Sequence, residues 1–203
     1  AWLRNSSMSN ARPSAWRAPV LLALCVVAFD QLAKHWAVTG LGPDRVIDVV
    51  WTLRWNLAFN SGMAFSRGQG LGPLIAVVAT VVIVWLLVTL RTESSRLSTC
   101  GMGLVIGGAA GNLVDRVFRG EAWLRGAVVD FIDFQWFPIF NIADICINVG
   151  AGALILKSVL SVRRAKKLEV AEFEEARSSA AAADARNATA NPPLSRRAQN
   201  HDQ

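Results

Sequence analysis

Long apolar stretches alternate with short polar segments over most of this chain. Four stretches are long enough to span a membrane, and they run from about Ala18 to Val38, Leu71 to Leu90, Leu97 to Val117 and Ile139 to Leu160. Each approaches the ~20 residues that a helix needs to cross ~30 Å of hydrocarbon. Because the backbone must satisfy its own hydrogen bonds in lipid, the pattern predicts four transmembrane helices.

A different pattern occupies the segment between the first two spans. In VIDVVWTLRWNLAFNSGMAFS, β-branched and aromatic residues recur at near-alternating positions, and Asn60-Ser61-Gly62 is typical of a turn. These features predict short strands and a small extracytoplasmic β-sheet. The expected architecture is a membrane domain at residues 18–161 with an outer β subdomain at about 40–70. Polar segments flank it at residues 1–17 and 162–203.

Composition supports the membrane class. The chain has 203 residues and is 53% hydrophobic, and its mean hydropathy of +0.34 is too apolar for an ordinary soluble domain. The net charge of +6 does not indicate nucleic-acid binding, because the basic residues fall at the ends of apolar stretches. Neither the three cysteines nor the two histidines have the spacing of a disulfide framework or a metal centre. No cofactor is expected.

The distribution of basic residues predicts the orientation. They cluster before the first span, between the second and third, and after the fourth: Arg4, Arg12, Arg17, Arg91, Arg96, Arg163, Arg164, Lys166 and Lys167. By the positive-inside rule these segments, and so both termini, are expected in the cytoplasm. The first span contains Asp30 and Lys34 and is followed by no small-residue cleavage site, which favours a retained helix over a removable signal peptide.

The outer tryptophans and the C-terminal tail are less clearly assigned by the sequence. The tryptophans that map near the outer boundary fit either an interfacial belt or packing inside the outer subdomain: Trp36, Trp51, Trp55, Trp123 and Trp136. Beyond Lys167 the composition shifts to Glu, Ala, Ser, Asn and Arg. We expect residues 168–190 to be helical only in part and the tail to be largely disordered.

Polar residues inside the spans are costly in lipid, so they are candidates for function. Asp30 and Lys34 lie four residues apart on one helical face and can pair. Two interpretations are open. The residues form a structural ion pair, or they have a functional role as partners of a substrate backbone or of a neighbouring carboxylate. In the third span, Gly103, Gly107 and Gly111 repeat every four residues, a spacing that predicts close packing against another helix.

The end of the third span carries a second polar group. Asn112, Asp115 and Arg116 fall three and four residues apart near the outer boundary. They share a helical face, and the two charged members can join a hydrogen-bond network. Because the third span has no other charge to accompany them, we prefer such a network to simple surface placement.

Two aspartates flank the entry to the last span, Asp130 in AVVDF and Asp144 in FNIAD. Pro138 suits the start of a helix, Asn141 its cap and Asp144 its first turn. Asp144 thus fits either a favourable first-turn acid or a functional carboxylate. The segment between the aspartates is long enough to fold back. Asp133, three residues after Asp130, is expected in an exposed loop.

If the two carboxylates face each other, they predict acid/base chemistry. A close pair shares one proton, because two negative charges repel. The ionised member accepts a proton from water as the water attacks a carbonyl, and the protonated member polarises that carbonyl. Two other classes remain open. A transporter would spread its carboxylates through the membrane, and a carboxylate-only metal hydrolase would need a divalent ion.

Five strings in this order resemble the bacterial lipoprotein signal peptidases (signal peptidase II): DQLAK, NSGMAFS, GGAAGNLVDR, VVDF and FNIAD. The resemblance covers about Asp30 to Gly150. It implies a four-helix membrane aspartic endopeptidase of the plasma membrane, whose site lies near the extracytoplasmic face. It also implies cleavage of prolipoproteins before a diacylglyceryl-modified cysteine, and binding of the antibiotic globomycin.

Carried over by motif, the resemblance implies that Asp130 and Asp144 are catalytic. Its supporting positions, which orient the pair and hold the substrate backbone, would be Asp30, Lys34, Asn60, Asn112, Asp115, Arg116 and Asn141. The stretch Glu121–Gly126 resembles an insertion, which leaves Asp115 as the alternative partner of Asp144. Membrane lipids and a monomeric state are also expected.

Overall fold

The computed structural model describes residues 16–42, 45–62, 71–120 and 123–190. The helices are α1 (Arg17–Gly40), α2 (Gly72–Thr89), α3 (Arg96–Phe118) and α4 (Ile142–Ala190), and the strands are β1 (Ile47–Val50), β2 (Leu53–Asn60) and β3 (Val128–Asp133). All four helices are long and apolar enough to cross a membrane. The predicted class, four transmembrane helices with a small sheet, is confirmed. Residues 63–66 of the NSGMAFS motif and most of the N-terminal segment 1–17 lie outside the described residues.

Helix α3 packs closely against α1 through its glycine stripe, as predicted. A Cβ added at Gly107 would lie 2.8 Å from the backbone oxygen of Ala23, and one at Gly111 would lie 2.6 Å from Oδ2 of Asp30. Only glycine allows the two helices to approach so closely at these levels. The stripe therefore brings the polar residues of α1 and α3 together at one end of the bundle.

The sheet is antiparallel, in the order β1-β2-β3. Strand β3 pairs with β2, and Ala58 stands opposite Asp130. The sequence patterns predicted no strand around Asp130, and the structure has one there. The strand is short and buried along its whole length, so it lacks the alternation by which a strand is recognised. Asp133 ends the same strand and is buried, not exposed in a loop.

The outer tryptophans divide between the two interpretations left open above. Trp36 and Trp55 pack edge to face, with ring centroids 5.8 Å apart, and both rings contact Phe131 of β3. Trp51, Trp123 and Trp136 are instead mostly exposed. The first set holds the sheet on α1, and the second is free to lie at a membrane interface.

Helix α4 differs from its predicted span at both ends. It begins at Ile142, three residues later than expected, because Phe140 bridges to Ile132 of the sheet in extended conformation. It continues to Ala190, where a largely disordered tail was expected. Ala, Glu and Arg favour helix strongly enough to extend it. The chain divides into two compact units, Ala1–Lys157 and Ser158–Gln203, and residues 191–203 lie outside the described part.

Candidate active site

The start of α4 fixes Asp144. The side-chain oxygen of Asn141 accepts a hydrogen bond of 3.0 Å from the backbone N–H of Asp144. In return, Oδ2 of Asp144 accepts one of 3.2 Å from the backbone N–H of Asn141. This reciprocal arrangement is a capping box, and it satisfies two backbone donors that the helix leaves free. Asn141 is thus the predicted cap, and the cap orients the Asp144 carboxylate.

Asp130 is held by amide groups from two other elements. The side-chain amide of Asn141 donates to Oδ1 of Asp130 at 2.6 Å, and that of Asn60, at the end of β2, donates to Oδ2 at 3.1 Å. Asn60 is itself oriented, because its Oδ1 accepts from the backbone N–H of Gly62 at 3.1 Å. Asn141 therefore contacts both aspartates and sets the distance between strand and helix.

Asp130 and Asp144 line the same cavity, which has a volume of about 710 Å³. Burial raises the pKa of Asp130 to about 7, and the negative charge of Asp144 adds to the rise. The hydrogen bonds from Asn60 and Asn141 oppose it, since they favour the ionised form. A carboxyl group with this pKa carries a proton about half of the time at neutral pH, which is the condition for the shared-proton chemistry.

Asn112 connects the aspartate pair to a charged cluster behind it. Its side-chain amide nitrogen donates to Oδ1 of Asp144 at 2.9 Å. Its oxygen accepts from Nζ of Lys34 at 2.8 Å and from the side-chain amide of Asn141 at 3.1 Å. Because lysine only donates, the amide orientation of Asn112 is determined, and its nitrogen must face Asp144.

The cluster behind Asn112 is an ion-paired group at the contact of α1 and α3. Nζ of Lys34 lies 2.8 Å from a carboxylate oxygen of Asp30 and 2.8 Å from one of Asp115. All three side chains are 0% exposed. Asp30 also accepts from the backbone N–H of Ala143 in α4 at 3.0 Å. The predicted Asp30–Lys34 pair is therefore present, and it joins three helices.

Asp115 belongs to this cluster and not to the cavity. Its Oδ2 accepts a hydrogen bond of 3.3 Å from the backbone N–H of Val129, the residue immediately before Asp130. Its Oδ1 accepts from Arg119 at 2.6 Å and from the side-chain amide of Gln31 at 3.2 Å. Sequence reasoning singled out neither Arg119 nor Gln31 as a site residue. The available signal was their position in the sequence, because Arg119 follows Asp115 by four residues and Gln31 is next to Asp30.

Arg116 enters the cavity with an unused donor. The residue is 5% exposed, and its Nη2 donates to the backbone oxygen of Gly62 at 3.0 Å. Nη1 is buried and has no hydrogen-bond partner in the described part of the chain. A buried, unpaired N–H is costly, and this one packs against Gly72 at the start of α2.

The remaining wall of the cavity is largely apolar: Ile75, Val128, Phe137, Pro138, Ile139, Phe140, Ile145, Ile147 and Val149. Asn148 also lines it and donates to the backbone oxygen of Asp144 at 2.9 Å. Within the described residues, no group of three or more His, Cys, Asp or Glu side chains is placed to hold a metal ion. A mostly apolar wall with a few convergent polar groups is typical of a ligand-binding cavity.

The predicted site residues thus form one connected arrangement with two layers. The cavity layer contains Asp130, Asp144, Asn60, Asn112 and Arg116. Behind it lie Asn141, which contacts both aspartates, and the ion-paired cluster of Asp30, Lys34 and Asp115. Their roles in catalysis remain predictions.

A four-helix membrane fold with two carboxyl groups at one cavity is the architecture of a membrane-embedded aspartic hydrolase. Residues 22–160 match the sequence family described as signal peptidase (SPase) II. The chain belongs to the signal peptidase II family, and it is an aspartic peptidase. Family membership supports removal of signal peptides from prolipoproteins.

Relatives and solved structures agree. The chain is 38% identical over 171 residues to a lipoprotein signal peptidase of Mycobacterium leprae, covering 81% of this chain and 85% of that one. It is 37% identical over 163 residues to that of Mycobacterium avium, covering 77% and 90%. A bacterial membrane enzyme solved by the in meso method at 2.3 Å superposes with a TM-score of 0.65 at 27% identity, covering 72% and 90%. A second, at 1.9 Å, gives 0.60 at 28%, covering 70% and 92%.

Proposed function

We propose that this enzyme cleaves prolipoproteins immediately before a diacylglyceryl-modified cysteine, with Asp130 and Asp144 activating the water that attacks the peptide bond. One observation carries the proposal. Asn141 hydrogen-bonds both aspartates at the wall of a single cavity. This contact holds the carboxyl groups as a pair, and a pair is what proton exchange with one water requires.

The surroundings of the two carboxyl groups suggest different roles. Asp130, whose pKa is raised to about 7, suits the protonated member, which donates to the carbonyl oxygen. Asp144 accepts from Asn112 and from a backbone N–H at the first turn of α4, which suits the base that takes a proton from water. The resulting tetrahedral intermediate then breaks its C–N bond. The amine leaves with the proton held by Asp144, and Asp130 recovers its proton from the hydroxyl group as the carbonyl re-forms.

The other predicted residues support this chemistry from fixed positions. Asn60, Asn112 and Asn141 orient the carboxyl groups, and Arg116 fixes the backbone of Gly62 at the cavity wall. The ion-paired cluster of Asp30, Lys34 and Asp115 anchors Asn112 and the backbone next to Asp130. Rigid positioning of this kind lowers the reorganisation needed during the reaction.

The apolar wall fits the lipid part of the substrate. Hydrocarbon chains gain free energy when apolar side chains replace water around them, and a diacylglyceryl group can enter from the bilayer. We place the enzyme in the bacterial plasma membrane as a monomer, with both termini cytoplasmic and the cavity near the outer face. The basic clusters that support this orientation include Arg91, Arg163 and Arg164.

The test uses the purified full chain and a precursor peptide bearing diacylglyceryl on its cysteine. We expect cleavage before that cysteine and its inhibition by globomycin. A matched precursor with an unmodified cysteine should remain uncut, and so should the modified precursor with Asp144→Asn. Full activity of Asp144→Asn, in a protein that melts as the wild type does, would refute the role of the pair. Equal cutting of both precursors would refute the lipid requirement.

A further inference from the structure

Arg119 lies outside the cavity, yet it makes one of the shortest polar contacts of the site. Its Nε donates to Oδ1 of Asp115 at 2.6 Å. Its side chain is 28% exposed, whereas that of Asp115 is 0% exposed. The residue is absent from the cavity lining and belongs to none of the functional roles assigned above.

The charges of the buried cluster explain why this contact matters. Asp30 and Asp115 are both paired with the same Lys34. Two carboxylates and one ammonium leave one negative charge in excess, and an uncompensated charge in a buried position is strongly destabilising. Arg119 is the second cation that contacts these groups in the described residues. It makes the cluster neutral and reaches the outer surface with the rest of its side chain.

Two hydrogen-bond paths lead from Asp115 to the aspartate pair. Through Lys34, Asp115 shares the ammonium that donates to Asn112, and Asn112 donates to Asp144. Directly, Asp115 accepts from the backbone N–H of Val129, the residue before Asp130. One carboxylate therefore influences the position of both members of the pair.

We propose, on the basis of the proposed function, that Arg119 is a positioning residue for the reaction. By neutralising Asp115, it keeps Lys34 on Asn112 and β3 on α3. Without Arg119, the excess negative charge is relieved by protonation of a cluster carboxylate or by movement of Lys34. Either change weakens a contact that orients Asp144 or Asp130. Arg119 does not touch the substrate cavity, so its loss affects the rate and not substrate binding.

The experiment measures kcat and KM of Arg119→Gln with the diacylglyceryl precursor, together with the pH profile of kcat. We expect kcat to fall about tenfold to a hundredfold, as small misplacements of reacting groups do, while KM stays within about twofold because the cavity wall is intact. Arg119→Lys, which keeps the charge, should recover most of kcat. Arg125→Gln, which removes an exposed arginine of the same outer segment, is the matched control and should behave as the wild type does.

The pH profile separates positioning from simple loss of stability. The charged groups around Asp130 are Asp30 and Lys34 of α1, Asp115, Arg116 and Arg119 of α3, Asp144 of α4, and the Arg54–Asp133 ion pair of the sheet. Removing the positive charge of Arg119 from this surrounding disfavours ionised Asp130. The alkaline limb of kcat should therefore move to higher pH in Arg119→Gln and stay in place in Arg119→Lys and Arg125→Gln.

Several results would overturn the inference. They are unchanged kcat and pH profile in Arg119→Gln, a rise in KM that accounts for the whole loss, and failure of this variant to fold, which would make Arg119 a structural residue. The proposed function fails separately. Activity of Asp144→Asn would refute the aspartate pair, whereas an inactive Asp144→Asn beside a fully active Arg119→Gln would refute only the role of Arg119.

Discussion

The protein contains two pairs of carboxyl groups that have different kinds of hydrogen-bond partner. Asp30 and Asp115 share the ammonium of Lys34 at 2.8 Å each. Asp130 and Asp144 receive hydrogen bonds only from amides, namely Asn60, Asn112, Asn141 and the Asn141 backbone, in the described residues. A cation holds acids in their ionised form, whereas amides orient them without supplying a charge. The first pair is therefore suited to hold helices together, and the second to exchange a proton.

The comparison shows that burial alone does not identify a catalytic acid. Asp115 is more completely buried than Asp130, at 0% against 3% exposure. What distinguishes Asp130 is access to a cavity together with the absence of a cation on its carboxyl group in the described residues. Substitutions in each pair, compared with one another, test this distinction.

The largest effect is expected from Asp130→Asn. Without its proton-exchanging carboxyl group, the pair cannot transfer protons, and kcat should fall about a thousandfold or more. The melting temperature should not fall, because an amide removes the desolvation cost of a buried acid. Kinetic assay and thermal unfolding in detergent measure both. Asp48→Asn in β1 is the control. A strongly reduced melting temperature in Asp130→Asn would contradict the contrast.

Lys34→Met should mainly reduce stability. It leaves two buried carboxylates without their shared cation, and breaking a buried pair in this way costs about 3–5 kcal/mol. Unfolding in detergent measures the loss, and activity should fall with the folded fraction and with the orientation of Asn112. If Lys34→Met melted as the wild type does, the cluster would not be the anchor of the bundle.

The pH dependence offers a smaller and more specific effect. Since burial and Asp144 raise the pKa of Asp130 to about 7, activity should decline as the pH rises through that value and the shared proton is lost. The hydrogen bond from Asn60 lowers the pKa of Asp130. Asn60→Leu should therefore raise it and move the alkaline limb upward by about one unit, the equivalent of 1.4 kcal/mol. A downward shift would argue against Asp130 as the group that titrates.

The smallest effect is expected at the ion pair of Lys157 and Glu93. Their charged atoms are 3.5 Å apart, and the Lys157 side chain is 38% exposed. Hydrogen bonds from the Ser95 and Ser94 backbone outweigh burial and, with Lys157, lower the pKa of Glu93. Exposed pairs contribute about 0–1 kcal/mol, so Lys157→Ala should change the melting temperature far less than Lys34→Met. Equal losses would show that burial does not govern the strength of these pairs.

Local patterns predicted much of the site, and non-local contacts account for what they missed. Pro138, Asn141 and Asp144 formed a recognisable helix start, and the structure has the cap at Asn141. Glycines at 107 and 111 predicted the approach of α1 and α3. Strand β3 was not predicted because its pairing partner lies about 70 residues earlier in the chain. Arg119 was not predicted as a site residue because the excess negative charge that it neutralises arises only when α1 and α3 pack together.

The order in which the ribosome delivers the pair follows from its placement. Asp130 lies on β3, and Asp144 lies in the first turn of α4, the last helix in the described residues. Asn141, which contacts both, is also synthesised after β3. A nascent chain that has inserted three helices therefore contains half of the hydrolytic machinery. Membrane integration of the fourth helix completes it, so cleavage of neighbouring precursors has to wait until that helix has been inserted.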